Sequence, residues 1–73
     1  MLAQTPLEDP VALGEAIRAR RKAVGLRQID LATSANTSLR FVSEVERGKK
    51  TAQIGAVMRL LNALGLELRL QGR

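Results

Sequence analysis

Residues 20–50 have the sequence RRKAVGLRQIDLATSANTSLRFVSEVERGKK, and this stretch decides the predicted fold. Within it, residues 28–34 have the length and pattern of a short helix with Leu31 and Ala32 facing inward. Residues 35–37, Ala-Asn-Thr, predict a tight turn, because Asn is one of the few residues other than Gly that tolerate the left-handed conformation. We therefore expect a second helix to follow this turn at once.

That following helix is predicted over about residues 38–47, with Val42 and Val45 facing inward. Either Thr37 or Ser38 can cap its N-terminus. Two short helices joined by a tight turn, the second with a polar outer face, describe a helix-turn-helix. The second helix of such a motif enters the major groove of DNA.

A longer helix is expected before this motif, over about residues 10–24, with Asp9 as its N-cap and Pro10 as its first residue. Its apolar side is marked by Leu13, Ile17 and Val24. Arg21 lies on or beside this side, where an unpaired cation would be costly to bury. The sequence therefore predicts a carboxylate partner for Arg21.

A fourth helix is predicted after the motif, from a cap at Thr51 to a stop at Gly65. Its apolar residues recur at helical spacing: Ile54, Val57, Met58, Leu61 and Leu64. We interpret Met58 as a core residue, since a thioether at this spacing usually fills a core.

The C-terminal residues change to a period of two, with Leu66, Leu68 and Leu70 alternating with polar residues. This pattern predicts a short β-strand, whose backbone groups would pair with the same strand of a second copy. The alternatives are a continuation of the fourth helix or a tail that folds its Leu residues onto the core. The expected class is thus all-α with a short C-terminal strand. It divides into a flexible arm (1–9), a DNA-binding domain (10–65) and a dimerisation strand and tail (66–73).

Composition limits the possible functions of this 73-residue, 7.9-kDa chain, which is long enough for one domain. It contains no Cys and no His, which argues against zinc sites, disulfides and Ser-His or Cys-His catalysis. We expect no enzyme activity, metal or cofactor. Phe41 is the only aromatic residue, so platforms for stacking single-stranded bases are missing.

Charge is concentrated in residues 18–50, which contain nine Lys or Arg against three Asp or Glu, a net charge of +6. The whole chain carries +5, and such a balance favours a polyanionic partner. No apolar run approaches a membrane span, and residues 1–17 lack a basic segment before an apolar one. These features predict an unexported cytoplasmic protein, associated with the nucleoid and not with a membrane. The small core favours an oligomer.

The quoted stretch resembles the helix-turn-helix of the Cro/repressor-type, or XRE, family. The resemblance extends on both sides of this stretch and covers about residues 12–64. The resemblance rests on the segments Gly25-Leu26-x-Gln28, Leu31-Ala32 and Val42-Ser43-x-Val45-Glu46-Arg47-Gly48-Lys49. It implies a four-helix, lambda-repressor-like domain. It also implies that Arg21 pairs with Glu46 at the end of the recognition helix.

The same resemblance assigns base contacts to the outer face of the third helix: Ser38, Leu39, Arg40, Ser43 and Glu44. Each position has an alternative interpretation. Ser38 can be a cap, Ser43 a solvated hydroxyl, Leu39 a partly buried residue and Arg40 a phosphate contact. Glu44 can accept from cytosine N4 or pair with Arg40, its i, i+4 neighbour. Phe41 can pack near the end of the second helix or lie against DNA.

Phosphate contacts are implied at the start of the second helix and after the third: Arg27, Gln28, Arg47, Lys49 and Lys50. Arg27 departs from the family pattern, because Ser or Thr usually caps the second helix there, and the loss of that hydrogen bond would cost about 1 kcal/mol. Asn36 also replaces the usual small residue of the turn.

The ending LGLELRLQGR is similar to that of the short HipB-type regulators. This implies a homodimeric repressor that binds a palindromic operator in double-stranded DNA and serves as the antitoxin of a type II toxin-antitoxin system. The alternative is a protein-interaction module that neutralises a HipA-type kinase toxin, with DNA binding secondary.

Overall fold

The computed structural model describes residues 9–70 and 72, and within them four α-helices follow one another. The helices are α1 (Pro10–Val24), α2 (Gln28–Ser34), α3 (Leu39–Glu46) and α4 (Ile54–Ala63). The four-helix prediction is confirmed, with α1 and α2 at the expected bounds. The predicted N-terminal arm lies outside the described residues, apart from Asp9.

Local signals set the helix ends in the first half of the chain. Asp9 caps α1, because its carboxylate accepts a hydrogen bond from the Ala12 N–H at 2.8 Å. Asn36 adopts the left-handed conformation, with φ of 55°, in the turn between α2 and α3. Ser38 then caps α3 by accepting from the Phe41 N–H at 3.0 Å. These three predictions are confirmed.

The core lies where α3 packs against both α1 and α2, and α4 packs against α2 as part of the same core. Its fully buried side chains are aliphatic and come from all four helices: Ile17, Leu31, Val42 and Leu60. Phe41 is half-buried against this core, as the packing alternative for this residue predicts. α3 is therefore anchored on its inner side along its whole length.

The contact between α1 and α3 is close enough to require Gly14. A Cβ atom at this position would overlap the carbonyl oxygen of Val45 and lie 2.9 Å from that of Glu46. Gly14 thus brings the backbone of α1 against the end of α3. This requirement was not recognised in the sequence, because a glycine inside a helix gives no sign of what will approach it.

The inward face of α4 differs from the prediction. Ile54 and Met58 are 62% and 51% exposed, so the interpretation of Met58 as a core residue is wrong. The buried residues are Ala56, Val57, Leu60, Leu61 and Leu64. Packing against α2 turns Leu60, and not Met58, toward the core. Periodicity alone cannot predict this rotation of the helix about its axis when apolar residues occupy more than one side. Val24 of α1 was also expected inward and is 49% exposed.

The cap of α4 is also different, since Gln53 and not Thr51 occupies the N-cap position. The Gln53 side-chain oxygen accepts from the Ala56 N–H at 2.7 Å.

The predicted C-terminal β-strand is wrong, because residues 66–70 form no strand. The Leu66 N–H donates to the Leu61 carbonyl at 2.8 Å, and the Gly65 N–H donates to that of Asn62 at 3.0 Å. This is a Schellman ending of α4, in which the residue after the glycine packs on the helix that it terminates. Leu66 accordingly packs half-buried against the core, whereas Leu68 and Leu70 are exposed. Alternation produced the strand signal, but the first leucine belongs to the helix cap, and residues 9–70 contain no strand that would supply hydrogen bonds.

Two arginines join distant elements through helix-end carbonyls. The Arg20 Nε donates to the Leu64 carbonyl at 3.0 Å, which ties α1 to the end of α4. The Arg59 Nε donates to the Ala35 carbonyl at 3.0 Å, which ties α4 to the end of α2. Both contacts satisfy carbonyls that the helix itself leaves unpaired.

Candidate nucleic-acid interface

The helix-turn-helix is held in place by a buried ion pair between α1 and α3. Arg21 Nε lies 2.6 Å from one carboxylate oxygen of Glu46, and Arg21 Nη2 lies 3.0 Å from the other. Both residues are buried. The guanidinium also donates from Nη1 to the Leu26 carbonyl at 2.8 Å, in the segment between α1 and α2. The carboxylate partner predicted for Arg21 is confirmed.

Gln28, the first residue of α2, joins the same network. Its Nε2 donates to Glu46 Oε1 at 3.0 Å, so one carboxylate is bound by groups from α1 and α2. Burial acts to raise the pKa of Glu46, but the hydrogen bonds from Arg21 and Gln28 outweigh burial and hold it below its ordinary value. The hydrogen bond to Glu46 likewise raises the pKa of Arg21. The pair is therefore ionised, and it fixes the start of α2 relative to the end of α3.

The start of α2 has a different cap from the one common in the family. Arg27 makes no side-chain capping hydrogen bond, as its side-chain chemistry predicts. Asp30 compensates, because its carboxylate accepts from the Arg27 N–H at 2.9 Å and from the Arg27 guanidinium at 3.0 Å on each oxygen. These bonds hold the pKa of Asp30 below its ordinary value. The role of Asp30 was not expected, although an acidic residue three positions after a cap is the signal of a capping box.

The outer face of α3 carries the side chains expected to meet bases. Leu39 is about half exposed and the Arg40 side chain is 86% exposed. Ser43 is partly buried, and its hydroxyl accepts from Arg47 Nη1 at 2.8 Å. Ser38 is exposed, and its hydroxyl forms the helix cap. Leu39, Arg40 and Ser43 lie in α3 and Ser38 caps it, and the side chains of Leu39 and Arg40 are accessible.

Glu44, in the middle of the same face, holds two cations. One carboxylate oxygen lies 3.3 Å from Arg40 Nε and the other lies 3.2 Å from Lys49 Nζ. The hydrogen bond from Lys49, more than that from Arg40, lowers the pKa of Glu44. Glu44 thus makes the ion pair with Arg40 that its alternative interpretation predicts, and its second partner, Lys49, was not foreseen.

The segment after α3 carries the remaining basic side chains. Gly48 turns the chain there with φ of 88°, and a Cβ at this position would lie 2.8 Å from the Val11 side chain. Arg47, Lys49 and Lys50 flank this turn and are exposed. They follow directly on the C-terminal end of α3, and Lys49 reaches back to contact Glu44.

The described residues contain no group of three His, Cys, Asp or Glu side chains placed to hold a metal ion. No helix among those described has the length and apolar character needed to cross a membrane.

Comparison with known proteins identifies the family of this motif. A helix-turn-helix family model matches residues 17–71. The HTH-type transcriptional regulator y4mF of Sinorhizobium fredii is 42% identical over 62 residues, which cover 85% of this chain and 82% of the relative. The chain belongs to the XRE-type helix-turn-helix family of DNA-binding transcriptional regulators.

Solved structures agree with this membership. A chain in a HipA–HipB–O2–O3 complex matches with a TM-score of 0.88 at 20% identity, covering 94% of this chain and 97% of that chain. The restriction-modification controller protein C.AhdI from Aeromonas hydrophila matches with a TM-score of 0.73 at 34% identity, covering 81% and 86%. The fold of this XRE-type chain is thus HipB-like. Its buried Arg21–Glu46 pair is the ion pair that the family resemblance implies.

Proposed function

We propose that this XRE-type chain is a repressor that binds a palindromic operator in double-stranded DNA as a homodimer, with α3 in the major groove. The observation that carries this proposal is the accessible outer face of α3, presented by a helix-turn-helix that a buried ion pair holds rigid. A recognition surface must be fixed before it meets DNA, because disorder in it would lower both affinity and specificity. As a repressor, the protein would act at the nucleoid.

Base contacts are assigned to Ser38, Leu39, Arg40 and Ser43. Arg40 is the strongest reader, because its guanidinium is exposed and can donate two hydrogen bonds to guanine O6 and N7. Leu39 can contact thymine methyl groups, and Ser38 and Ser43 can reach base edges while their hydroxyls remain bonded within the protein.

Phosphate contacts are assigned to Arg27, Gln28, Arg47, Lys49 and Lys50. Gln28 retains a second Nε2 hydrogen after its bond to Glu46, so the same amide can donate to a phosphate from a fixed position. The four cations supply affinity that does not depend on base sequence.

Dimerisation is assigned to an apolar surface beside the start of α4. Ile54 and Met58 lie one helical turn apart and are exposed, and Ile54 shares an open groove with Leu68 and Leu13. Burying these side chains against a second copy would remove apolar surface from water. The α3 helices of the two copies would then enter successive major grooves of the same duplex. Light scattering checks the assignment: Ile54→Glu with Met58→Glu should give monomers, whereas Val24→Glu, at an exposed apolar position of α1, should not. A dimer that persists in the double variant would contradict it.

A second candidate function is that of an antitoxin for a HipA-type kinase. The fold similarity to a chain found in a complex of HipA, HipB and operator DNA supports this candidate. Stoichiometric recovery of a co-encoded kinase with the tagged chain from native cells would support it. Recovery of the homodimer alone would count against it.

The decisive experiment titrates the purified protein against its own upstream DNA and against a scrambled duplex of the same length and composition, at several salt concentrations. A preference of about 10³-fold or more for the upstream DNA, with a dimer bound, is expected for a specific repressor. Equal binding to both duplexes would overturn the repressor proposal.

A further inference from the structure

We propose that Glu44 is a specificity-determining residue that acts on its neighbours instead of on a base: it lowers affinity for random DNA and orients Arg40 for readout. The inference rests on the proposed DNA-binding function of α3. A negatively charged side chain, Glu44, lies on the surface that should meet a polyanion.

The geometry that carries the proposal is a three-residue cluster, Arg40–Glu44–Lys49. Both oxygens of the carboxylate are used, one by Arg40 Nε at 3.3 Å and the other by Lys49 Nζ at 3.2 Å. The Glu44 side chain is 21% exposed, against 86% for Arg40 and 44% for Lys49. The carboxylate therefore lies beneath two cations that extend over it, and the cluster carries a net charge of +1 instead of +2.

On random DNA this cluster weakens binding. Affinity for random DNA comes from cations that neutralise phosphates and release counterions. A cation that remains paired with Glu44 neutralises a phosphate less completely, and the carboxylate itself is repelled by the phosphates. Releasing either cation requires its ion pair to open without any compensating base contact.

On an operator the same cluster assists base readout by Arg40. Glu44 engages the Nε of Arg40, and in the described part of the chain neither Nη group of Arg40 has a hydrogen-bond acceptor. The two terminal groups are the fork that donates to guanine O6 and N7. Because the carboxylate holds the inner nitrogen, Arg40 reaches a base with its side chain already oriented. The ion pair therefore stays closed during readout and costs specific binding little.

The test compares Glu44→Gln with Glu15→Gln, which removes the same charge from an exposed position of α1. Both variants and the parent protein are titrated with the upstream and scrambled duplexes across a range of salt. Glu44→Gln should raise affinity for scrambled DNA about tenfold and lower the preference for upstream DNA by a similar factor. Its salt dependence on scrambled DNA should steepen by about 1 to 2 units of slope, since each phosphate newly neutralised contributes about 0.9. Glu15→Gln should change affinity for both duplexes equally, leaving the preference unaltered.

Two outcomes of the preference measurement would overturn the proposal. An unchanged preference of Glu44→Gln for upstream over scrambled DNA would mean that the carboxylate acts only through the net charge of the protein. A selective loss of upstream binding, with scrambled binding unaltered, would mean that Glu44 reads a base directly. Thermal unfolding of each variant verifies that its fold is retained.

The salt slope separates this inference from the proposed function. If the parent protein fails to prefer its upstream DNA, the repressor proposal fails, but a steeper slope in Glu44→Gln than in Glu15→Gln still supports the cluster. An unaltered slope overturns it. A second comparison uses the double variant Arg40→Gln with Lys49→Gln. Adding Glu44→Gln to it should have no effect on the salt slope, because no cations remain to be released.

Discussion

Arg21 and Glu46 form a two-point ion pair, with distances of 2.6 and 3.0 Å, that joins the last turn of α1 to the end of α3. Removing one partner from a buried pair leaves an uncompensated charge, which typically costs about 3 to 5 kcal/mol. For a domain of this size, that is most of the free energy of unfolding. The pair thus links the stability of the fold to the position of α3.

Arg21→Met and Glu46→Leu should each reduce the free energy of unfolding by several kcal/mol, whereas the double variant should lose clearly less than the sum of the two. The reason is that the double variant leaves no unpaired charge. Denaturant titration measures all three, with Lys22→Met, an exposed neighbour on α1, as the control. Additive losses would contradict the buried-pair interpretation.

Stability should fall in acid partly through Glu46. The pKa of Glu46 is lower in the folded protein than its ordinary value of 4.5. Its ionised form therefore contributes stability that is complete above the unfolded pKa and is lost as pH falls through the lowered folded pKa. Melting temperatures of the parent protein and Glu46→Gln should differ most near neutral pH and converge between about pH 5 and pH 3. A difference that is constant across this range would be inconsistent with the ion pair.

Gly14→Ala should destabilise the protein by about 1 to 3 kcal/mol, because the added Cβ forces α1 away from the carbonyl oxygens of Val45 and Glu46. Gly55→Ala in α4 is the matched control. Its Cβ would lie 3.2 Å from Nε2 of the Gln53 side chain that caps α4 and would meet no backbone as its nearest neighbour, and Ala is a better helix former than Gly by about 1 kcal/mol. Chemical denaturation should therefore show opposite or clearly unequal effects, and equal effects would count against the close contact.

Arg59→Met should lower stability by about 1 kcal/mol through the loss of the hydrogen bond to the Ala35 carbonyl. The substitution keeps most of the apolar stem, so the change isolates the guanidinium. Lys50→Met, at an exposed position, serves as the comparison and should have little effect on the melting temperature. Equal shifts of the melting temperature in both variants would contradict a stabilising role for the hydrogen bond from Arg59 to Ala35.

Arg40→Ala should weaken binding to the upstream DNA by about 1 to 3 kcal/mol and relax base preference at one position of each half-site. Lys50→Ala should instead weaken binding to all duplexes and reduce the salt slope by about 1. Gel-shift competition with singly substituted duplexes separates the two patterns. A uniform loss in Arg40→Ala would place that side chain on a phosphate.

Much of this protein follows from its sequence alone. Asp9, Asn36 and Ser38 act through neighbours three or fewer residues away, so their caps and turn are fixed locally and were predictable. A carboxylate partner for Arg21 was also expected, since a cation beside an apolar face needs one, and the family resemblance implied that this partner is Glu46.

Tertiary packing decided the rest. Which side of α4 faces the core depends on the surface of α2, so Leu60 is buried and Met58 is not, although both suit an apolar stripe. Leu66 became part of a helix ending and not of a strand, because the Leu61 carbonyl of α4 accepts its N–H. Gly14, Arg20 and Arg59 act on backbone that lies more than 20 residues away in the chain. Local patterns specify a helix and its ends, but the rotation of a helix and the partners of its long side chains exist only once the helices have packed.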